Sequence, residues 1–120
     1  MNKIYMKVDP KDLWKFTLDD DGNRVDLDRE KGVYKEALDK WGTAQIIILF
    51  EEMAELQKEL TKHLRGKENR IEIAEEIADV EIMLGQMKVL FGIEEGVERY
   101  KKLKIQRLQE RLERLGQLWR

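Results

Sequence analysis

The chain has no cysteine, one proline and one histidine among its 120 residues. The lack of cysteine excludes disulfides and thiolate zinc sites, and a single histidine excludes a metal site built on several imidazoles. Carboxylate oxygens are the ligands that remain for a metal ion. No sign of charge dominates, since 23 Lys and Arg stand against 25 Asp and Glu. The chain as a whole therefore has no general attraction for nucleic acid or for an anionic membrane.

Long apolar runs are absent as well. The amino-terminal stretch lacks the unbroken apolar segment of a signal peptide, and no stretch approaches the length needed to cross a bilayer. We therefore expect a cytoplasmic protein with no membrane partner. A chain of this length has room for one modest core, which helical packing can supply.

The first thirty residues differ in texture from the rest. They contain Pro10 and an acidic, turn-like cluster over residues 19–23. Alternating residues over 3–8 are compatible with a short hairpin. We interpret residues 1–30 as an irregular or hairpin-like extension, and residues 31–120 as the helical domain.

From about residue 30 onward, apolar residues recur with helical spacing. Gly42, Gly66 and Gly92 interrupt this spacing, and glycine readily takes the left-handed conformation that ends a helix. Short links between the helical stretches predict an all-α four-helix bundle. The predicted helices cover about residues 30–41, 43–65, 70–91 and 94–118.

Two further features of these helices can be predicted. Asn69, with Glu72 three residues later, indicates a capping box at the start of the third helix, in which the Asn side chain accepts from the backbone. The second helix is expected to bury its apolar stripe, and the third helix also carries a line of apolar residues. The stripe residues are Ile46, Leu49, Phe50, Met53, Leu56, Leu60 and Leu64, then Ile73, Ile77, Val80, Leu84, Met87 and Leu90.

Two acidic motifs lie on neighbouring helices, with EEMAE over residues 51–55 and EIAD over residues 76–79. Each motif presents carboxylates at i and i+3, on one face of its helix. The short link over residues 65–69 favours an antiparallel hairpin, in which Glu55 and Asp79 lie equally far from the turn. We expect the carboxylates to converge in a half-buried groove, where Mg²⁺ or Mn²⁺ would offset their repulsion. A solvated face with chance motifs remains open from spacing alone, because 40% of the residues are charged.

The order EExxE…ExxD, in this helical context, resembles the signature of the MazG-like all-α NTP pyrophosphohydrolases. The segment Lys40-Trp41-Gly42 and the following Gln45 are similar to that family's first helix and turn. The resemblance covers roughly residues 33–110. It implies Mg²⁺-dependent cleavage of a nucleoside triphosphate between the α- and β-phosphates, giving a monophosphate and pyrophosphate.

The resemblance also implies roles for individual residues. Glu51 would hold a second ion or orient the attacking water. The family's last helix often uses Lys and Asn to hold phosphate, and here Lys102 and Gln106 keep the i, i+4 spacing. Trp41 would stack on a base if it does not belong to the core. The metal ligands that the resemblance implies are Glu52, Glu55, Glu76 and Asp79, and the catalytic candidates are Glu51 and Glu52. A local excess of cations on the last helix adds its other basic residues. The candidate substrate-binding residues are therefore Lys101, Lys102, Lys104, Gln106, Arg107 and Trp41.

Three functions stay open from the sequence. The first is the NTP pyrophosphohydrolase, and the second is an enzyme of the related dUTPase-like or phosphoribosyl-ATP pyrophosphohydrolase groups. The third is a non-enzymatic helical interaction protein, which the apolar seam from Leu108 to Trp119 favours. A small bundle with an exposed seam also predicts a homodimer or homotetramer.

Overall fold

The computed structural model describes residues 27–118, which form four α-helices and one 3₁₀ turn, without a strand in that range. The predicted all-α class is confirmed for this part of the chain. The hairpin predicted over residues 3–8 lies outside the described residues. The helices are α1 (Leu27–Trp41), α2 (Gln45–Leu64), α3 (Arg70–Phe91) and α4 (Glu94–Leu118), and the 3₁₀ turn is Gly42–Ala44.

The helices end where the glycines predicted they would, although α1 begins at Leu27, earlier than the spacing indicates. The end of α2 shows the reason. Gly66 has a φ of 96°, a conformation that suits glycine, and its N–H donates to the carbonyl of His63 at 2.9 Å. The N–H of Lys67 donates to the carbonyl of Lys62 at 3.1 Å. These two bonds make a Schellman motif, which ends α2 and reverses the chain.

α2 and α3 form an antiparallel hairpin across the five-residue link predicted from the sequence. Its core contains Leu49 from α2 and Met83 and Met87 from α3, each at most 9% exposed. Ile46, Ile48 and Leu90 pack around these three residues and remain partly exposed. The buried apolar core is therefore small and lies toward the start of α2 and the end of α3.

Tyr34 joins α1 to α3. Its ring lies so close to Gly85 that a Cβ at this glycine would be 2.5 Å from a ring carbon. Its hydroxyl donates to the carboxylate of Glu30. Burial, followed by this hydrogen bond and the charges of Glu30 and Glu81, raises the pKa of Tyr34 well above its usual value. Gly85 is thus needed for the close approach of α1.

The predicted apolar stripes extend further than the core. Leu49 is buried as predicted, and Met87 of the α3 line is buried too. The expectation of burial is wrong for four others on α2, because a stripe shows which side of a helix is apolar but not how much of it the neighbouring helix covers. These four residues are 45–86% exposed: Phe50, Met53, Leu60 and Leu64. Ile77 and Leu84 of the α3 line are likewise 41% and 43% exposed.

The predicted capping box at the start of α3 is also wrong. The Oδ1 atom of Asn69 accepts no hydrogen bond from the described residues, and its Nδ2 atom donates to Glu59 on α2. The backbone carbonyl of Asn69 accepts from the N–H of Ile73 at 3.0 Å, as in an ordinary first helical turn. The side chain therefore serves the contact between two helices instead of its own helix end.

The chain divides after Leu90 into two units. The second unit contains α4, whose seam residues Leu108, Leu112 and Leu115 are 49–60% exposed. The arrangement of all four helices as a bundle stays a prediction. Within the described range, none of the helices combines the length and the apolar character needed to span a membrane.

Candidate metal centre

Four carboxylates from α2 and α3 converge. One oxygen from each of the four residues lies within 4.8 Å of the others. The residues are Glu52, Glu55, Glu76 and Asp79. The convergence predicted from the two acidic motifs is thus confirmed, and the binding of a metal ion by these residues stays a prediction.

The register of the hairpin explains why the carboxylates meet. The side-chain amide of Gln45 donates to that of Gln86 at 2.8 Å, which fixes these two residues opposite each other. Glu52 lies seven residues after Gln45, and Asp79 lies seven residues before Gln86. Seven residues are about two helical turns, so this antiparallel register also places Glu52 opposite Asp79. Glu55 and Glu76, three residues away on each helix, complete the group.

The four carboxylates lie at different depths. Glu52 and Glu76 are 9% and 6% exposed, whereas Asp79 is half-buried and Glu55 is exposed. One carboxylate oxygen on each of Glu52, Glu76 and Asp79 has no contact with solvent. The group therefore has a buried floor and an open edge at Glu55, through which a ligand can enter.

The distances and the donor atoms fit a hard divalent cation. Oxygen atoms on opposite sides of Mg²⁺, each about 2.1 Å from the ion, lie about 4.2 Å apart. The observed limit of 4.8 Å is close to this value. Charged carboxylates at such a distance repel each other by roughly 3.5 kcal/mol per pair at an effective dielectric constant near 20. A divalent cation held between the oxygens would offset this repulsion at the shortest range.

Glu51, predicted as catalytic, is exposed and is not one of the four converging residues. Sequence reasoning overlooked its counterpart on α3, Glu75. One carboxylate oxygen of Glu75 is buried without a hydrogen-bond partner in residues 27–118. The position of Glu75 directly before Glu76 was the available signal, since it repeats the paired glutamates at Glu51 and Glu52.

Sequence reasoning also missed a polar contact at the link end of the hairpin. Asn69 is 1% exposed, and its Nδ2 atom donates to the backbone carbonyl of Glu59 at 2.8 Å and to its carboxylate at 2.7 Å. Lys62 donates to the same carboxylate at 3.0 Å. The hydrogen bond from Asn69, and then that from Lys62, lower the pKa of Glu59.

The predicted phosphate-binding residues all lie on α4 and are exposed. The Nζ atom of Lys101 lies 3.8 Å from the carboxylate of Glu98, and Gln106 donates to Glu110 at 3.5 Å. Binding of substrate by these side chains stays a prediction. The set is Lys101, Lys102, Lys104, Gln106 and Arg107.

Trp41, predicted to stack on a base or to belong to the core, is 54% exposed at the end of α1. The Nζ atom of Lys40 lies 5.3 Å from the centroid of its ring, within the range of a cation–π contact. Trp41 is therefore not a core residue. Stacking on a nucleobase stays a prediction.

Comparisons with protein-family models, curated proteins and solved structures give no match to the chain. The class of protein is therefore described from the fold and the geometry of the site. Over residues 27–118 the protein is all-helical and has a partly buried group of carboxylates that could hold a cation.

Proposed function

We propose that the chain is a Mg²⁺-dependent nucleoside triphosphate pyrophosphohydrolase of the MazG-like kind. The observation that carries this proposal is the convergence of two carboxylate pairs on one antiparallel hairpin. One pair belongs to the EExxE motif of α2 and the other to the ExxD motif of α3. Hydrolysis of a triphosphate requires the phosphate charge to be neutralised and a water molecule to be activated. A group of hard oxygen ligands on rigid helices suits Mg²⁺, with Mn²⁺ as the alternative cation.

In this proposal the role of each carboxylate depends on how deeply it is buried. A bound Mg²⁺ would supply neutralisation of the phosphate charge and a more acidic water. The buried Glu52 and Glu76 provide fixed oxygens, and the exposed Glu55 meets the incoming nucleotide. Glu51 is our candidate for orienting the attacking water and accepting its proton. The bond that breaks is the anhydride between the α- and β-phosphates, so the products are a monophosphate and pyrophosphate.

The basic residues of α4 are proposed to bind phosphate oxygens. The motive is a local excess of cations, Lys101, Lys102 and Lys104, in a chain that is slightly acidic. A contact made equally in the ground and transition states contributes to binding alone. Lys102→Ala should therefore raise KM without lowering kcat, as measured by steady-state kinetics. Unchanged KM in this variant and in the alanine variants of its basic neighbours would exclude the role.

The function is tested by incubating the chain with a panel of nucleoside triphosphates, dUTP and phosphoribosyl-ATP included. Products are resolved by ion-exchange chromatography with Mg²⁺ present and with EDTA. The proposal expects a monophosphate and pyrophosphate from at least one compound, only with the metal, and it distinguishes the related substrate groups. Release of a diphosphate and orthophosphate, or no turnover of any compound, would contradict it.

A second copy of the chain is proposed as the partner of the apolar face. We use that name for the exposed stripe residues Phe50, Met53, Leu60, Leu64, Ile77 and Leu84. At about 100° per residue, the members on each helix lie roughly a quarter turn from the buried line, on the same side of the hairpin. With side chains of about 200 Å² each roughly half exposed, the face presents about 600 Å², near the 800 Å² that each partner of a stable interface buries. A homodimer or homotetramer would cover it.

The alternative function is a non-enzymatic interaction protein. The exposed seam of α4, with Leu108, Leu112 and Leu115, favours it. That function needs no cation, so neutralising Glu52 or Asp79 should raise the melting temperature equally with and without Mg²⁺. The enzyme proposal expects these variants to lose stabilisation by Mg²⁺ instead.

A further inference from the structure

A line of polar residues runs along the side of α2 that faces α3. Gln45, Glu52 and Glu59 follow each other at intervals of seven residues. Seven residues turn a helix through about 700°, so the three side chains lie on one side, each about 10 Å from the next. Glu52 belongs to the candidate metal centre. The other two residues mark positions two turns to either side of it.

Residues of α3 and its preceding link match this line. Gln86 lies seven residues after Asp79, and Asn69 lies seven residues before Glu76. Gln86 accepts from Gln45 at 2.8 Å, whereas Asn69 donates twice to Glu59, at 2.8 Å and 2.7 Å. One hydrogen-bonded contact between the helices thus lies at each side of the four carboxylates.

These contacts are buried, which makes them hard to lose. Gln45, Gln86 and Asn69 are 7%, 5% and 1% exposed. A buried amide that loses its partner remains without solvent to replace the hydrogen bond, so the contact resists separation of the helices. The carboxylates between the two contacts act in the opposite direction, because like charges push α2 and α3 apart.

The contact between Asn69 and Glu59, at the link end, contributes more to holding α2 beside α3 than the Gln45–Gln86 contact does. The buried apolar residues of the hairpin, Leu49, Met83 and Met87, all lie on the Gln45 side of the carboxylates. On the link side, Asn69 is the one buried residue in the described part of the hairpin. The fully buried apolar side chains of the described hairpin thus lie at one end, and at the other end Asn69 makes the buried contact between the helices, beside partly buried residues such as Leu56 and Ile73.

We propose that Asn69, together with the Gln45–Gln86 pair, positions the candidate metal centre by keeping α2 and α3 at the spacing at which four carboxylates share one divalent cation. This inference rests on the metal site of the proposed function. It adds residues that touch neither the ion nor the substrate. Its test is therefore the affinity for Mg²⁺ alone.

The experiment is calorimetric titration of MgCl₂ into the wild-type chain and into Asn69→Ala, at a temperature at which circular dichroism shows both to be folded. Loss of a hydrogen bond made directly to a metal ligand typically weakens metal affinity 10- to 100-fold. Asn69 bonds to Glu59, which is not one of the four carboxylates, so we expect the lower end of that range, about tenfold. Gln86→Met keeps the side-chain volume but removes the acceptor of Gln45, and it should weaken affinity in the same direction. Asn69→Ser is measured under the same criterion where Asn69→Ala does not fold.

Two control variants separate positioning from general stability. Lys62→Gln removes the other hydrogen bond to the carboxylate of Glu59. Lys62 and Glu59 both lie on α2, so this bond does not connect α2 to α3. Gly85→Ala disturbs the contact with Tyr34 on α1 and should lower the melting temperature. Since neither change loosens α2 from α3, both should leave the Mg²⁺ Kd within about twofold of the wild-type value.

The outcomes distinguish the inference from the function on which it rests. A wild-type chain that binds no Mg²⁺ overturns the metal site and the inference with it. A wild-type chain that binds Mg²⁺, while the folded Asn69 and Gln86 variants bind it equally well, overturns the positioning role and leaves the site intact. Weaker binding in those variants, with both controls unchanged, supports the inference.

Discussion

The α2–α3 hairpin has two sides of opposite chemistry. One side presents the four converging carboxylates, and the other presents the apolar face, with Phe50 60% and Leu64 86% exposed. The acidic side is assembled within one hairpin, because both motifs lie near the same short link. The apolar side is not covered by the hairpin. The hairpin alone therefore explains how the four carboxylates come together. The apolar face, in contrast, needs a surface outside the hairpin to cover it.

The depth of the residues sharpens this contrast. Glu52 and Glu76 are more buried than most apolar stripe residues beside them, the reverse of what hydropathy favours. Buried carboxylates normally need a charged or metal partner, whereas exposed apolar residues need a covering surface. Substitutions on each side should consequently fail in different ways.

The largest effect is expected for Glu76→Gln, which neutralises a buried carboxylate of the acidic side. Loss of the metal would lower kcat/KM by at least about 100-fold, since activation of water and neutralisation of charge would both be lost. Without Mg²⁺, this variant should melt no lower than wild type, because the change relieves repulsion. Kinetics and thermal melts with and without Mg²⁺ measure both.

Glu81→Gln is the matched control, since it removes one charge from the same helix outside the group of four. It should leave kcat/KM and stabilisation by Mg²⁺ unchanged. An equal loss of activity in both variants would show that total charge, rather than the four carboxylates, matters.

The next effect compares neighbouring residues of α2. Leu49→Ala removes a buried core side chain and should lower the free energy of unfolding by about 2–4 kcal/mol at any protein concentration. Phe50→Ala lies on the apolar face and should have a smaller effect in dilute solution, which grows with concentration as the partner copy becomes relevant. Urea unfolding at two concentrations measures the difference. Concentration-independent unfolding of the wild-type chain and of Phe50→Ala would argue against a second copy on this face.

Gly85→Ala should lower the free energy of unfolding by about 1–3 kcal/mol, because its Cβ would overlap the ring of Tyr34. The matched control is Gly32→Ala on α1, where a Cβ meets nothing within 4 Å. Since alanine favours helix more than glycine, the control should stabilise the chain by up to about 1 kcal/mol. Chemical unfolding of both variants checks the contact between α1 and α3, and equal effects of the two would contradict it.

The smallest effect concerns pH. The hydrogen bonds of Asn69 and Lys62 lower the pKa of Glu59 from its ordinary value of 4.5. A lowered carboxyl pKa contributes stability above the ordinary value, and this contribution is lost as the pH falls through the folded-state pKa. Asn69→Ala lacks the larger of the two causes. Its melting temperature should therefore decrease less than that of wild type between pH 7 and pH 3, and an identical decrease would contradict the assignment.

Much of the hairpin could be predicted because its determinants are local. Gly66 marks the end of α2, and the short link that follows requires α3 to run antiparallel beside α2. Fixed helical spacing then brings the carboxylates together. The partner of Asn69 could not be predicted by the same rules, since Glu59 lies ten residues earlier and competes with the local cap.

The sequence also could not predict how much of each apolar stripe is buried. The apolar stripe of α2 continues from Leu49 through Leu60 to Leu64, yet α3 covers only the part that faces it. A stripe records the side of a helix that avoids water, and it does not identify the surface that covers it. The same limit applies to the seam of α4, whose partner the periodicity does not name.

The most direct test of the central claim is calorimetric titration of MgCl₂ into the wild-type chain, Glu76→Gln and Glu81→Gln. The claim is that Glu52, Glu55, Glu76 and Asp79 together form one site for a divalent cation. We expect saturable binding near one ion per chain in the wild type and in Glu81→Gln, and loss of that binding in Glu76→Gln. Absence of binding in the wild type, or equal binding in all three, would contradict the claim.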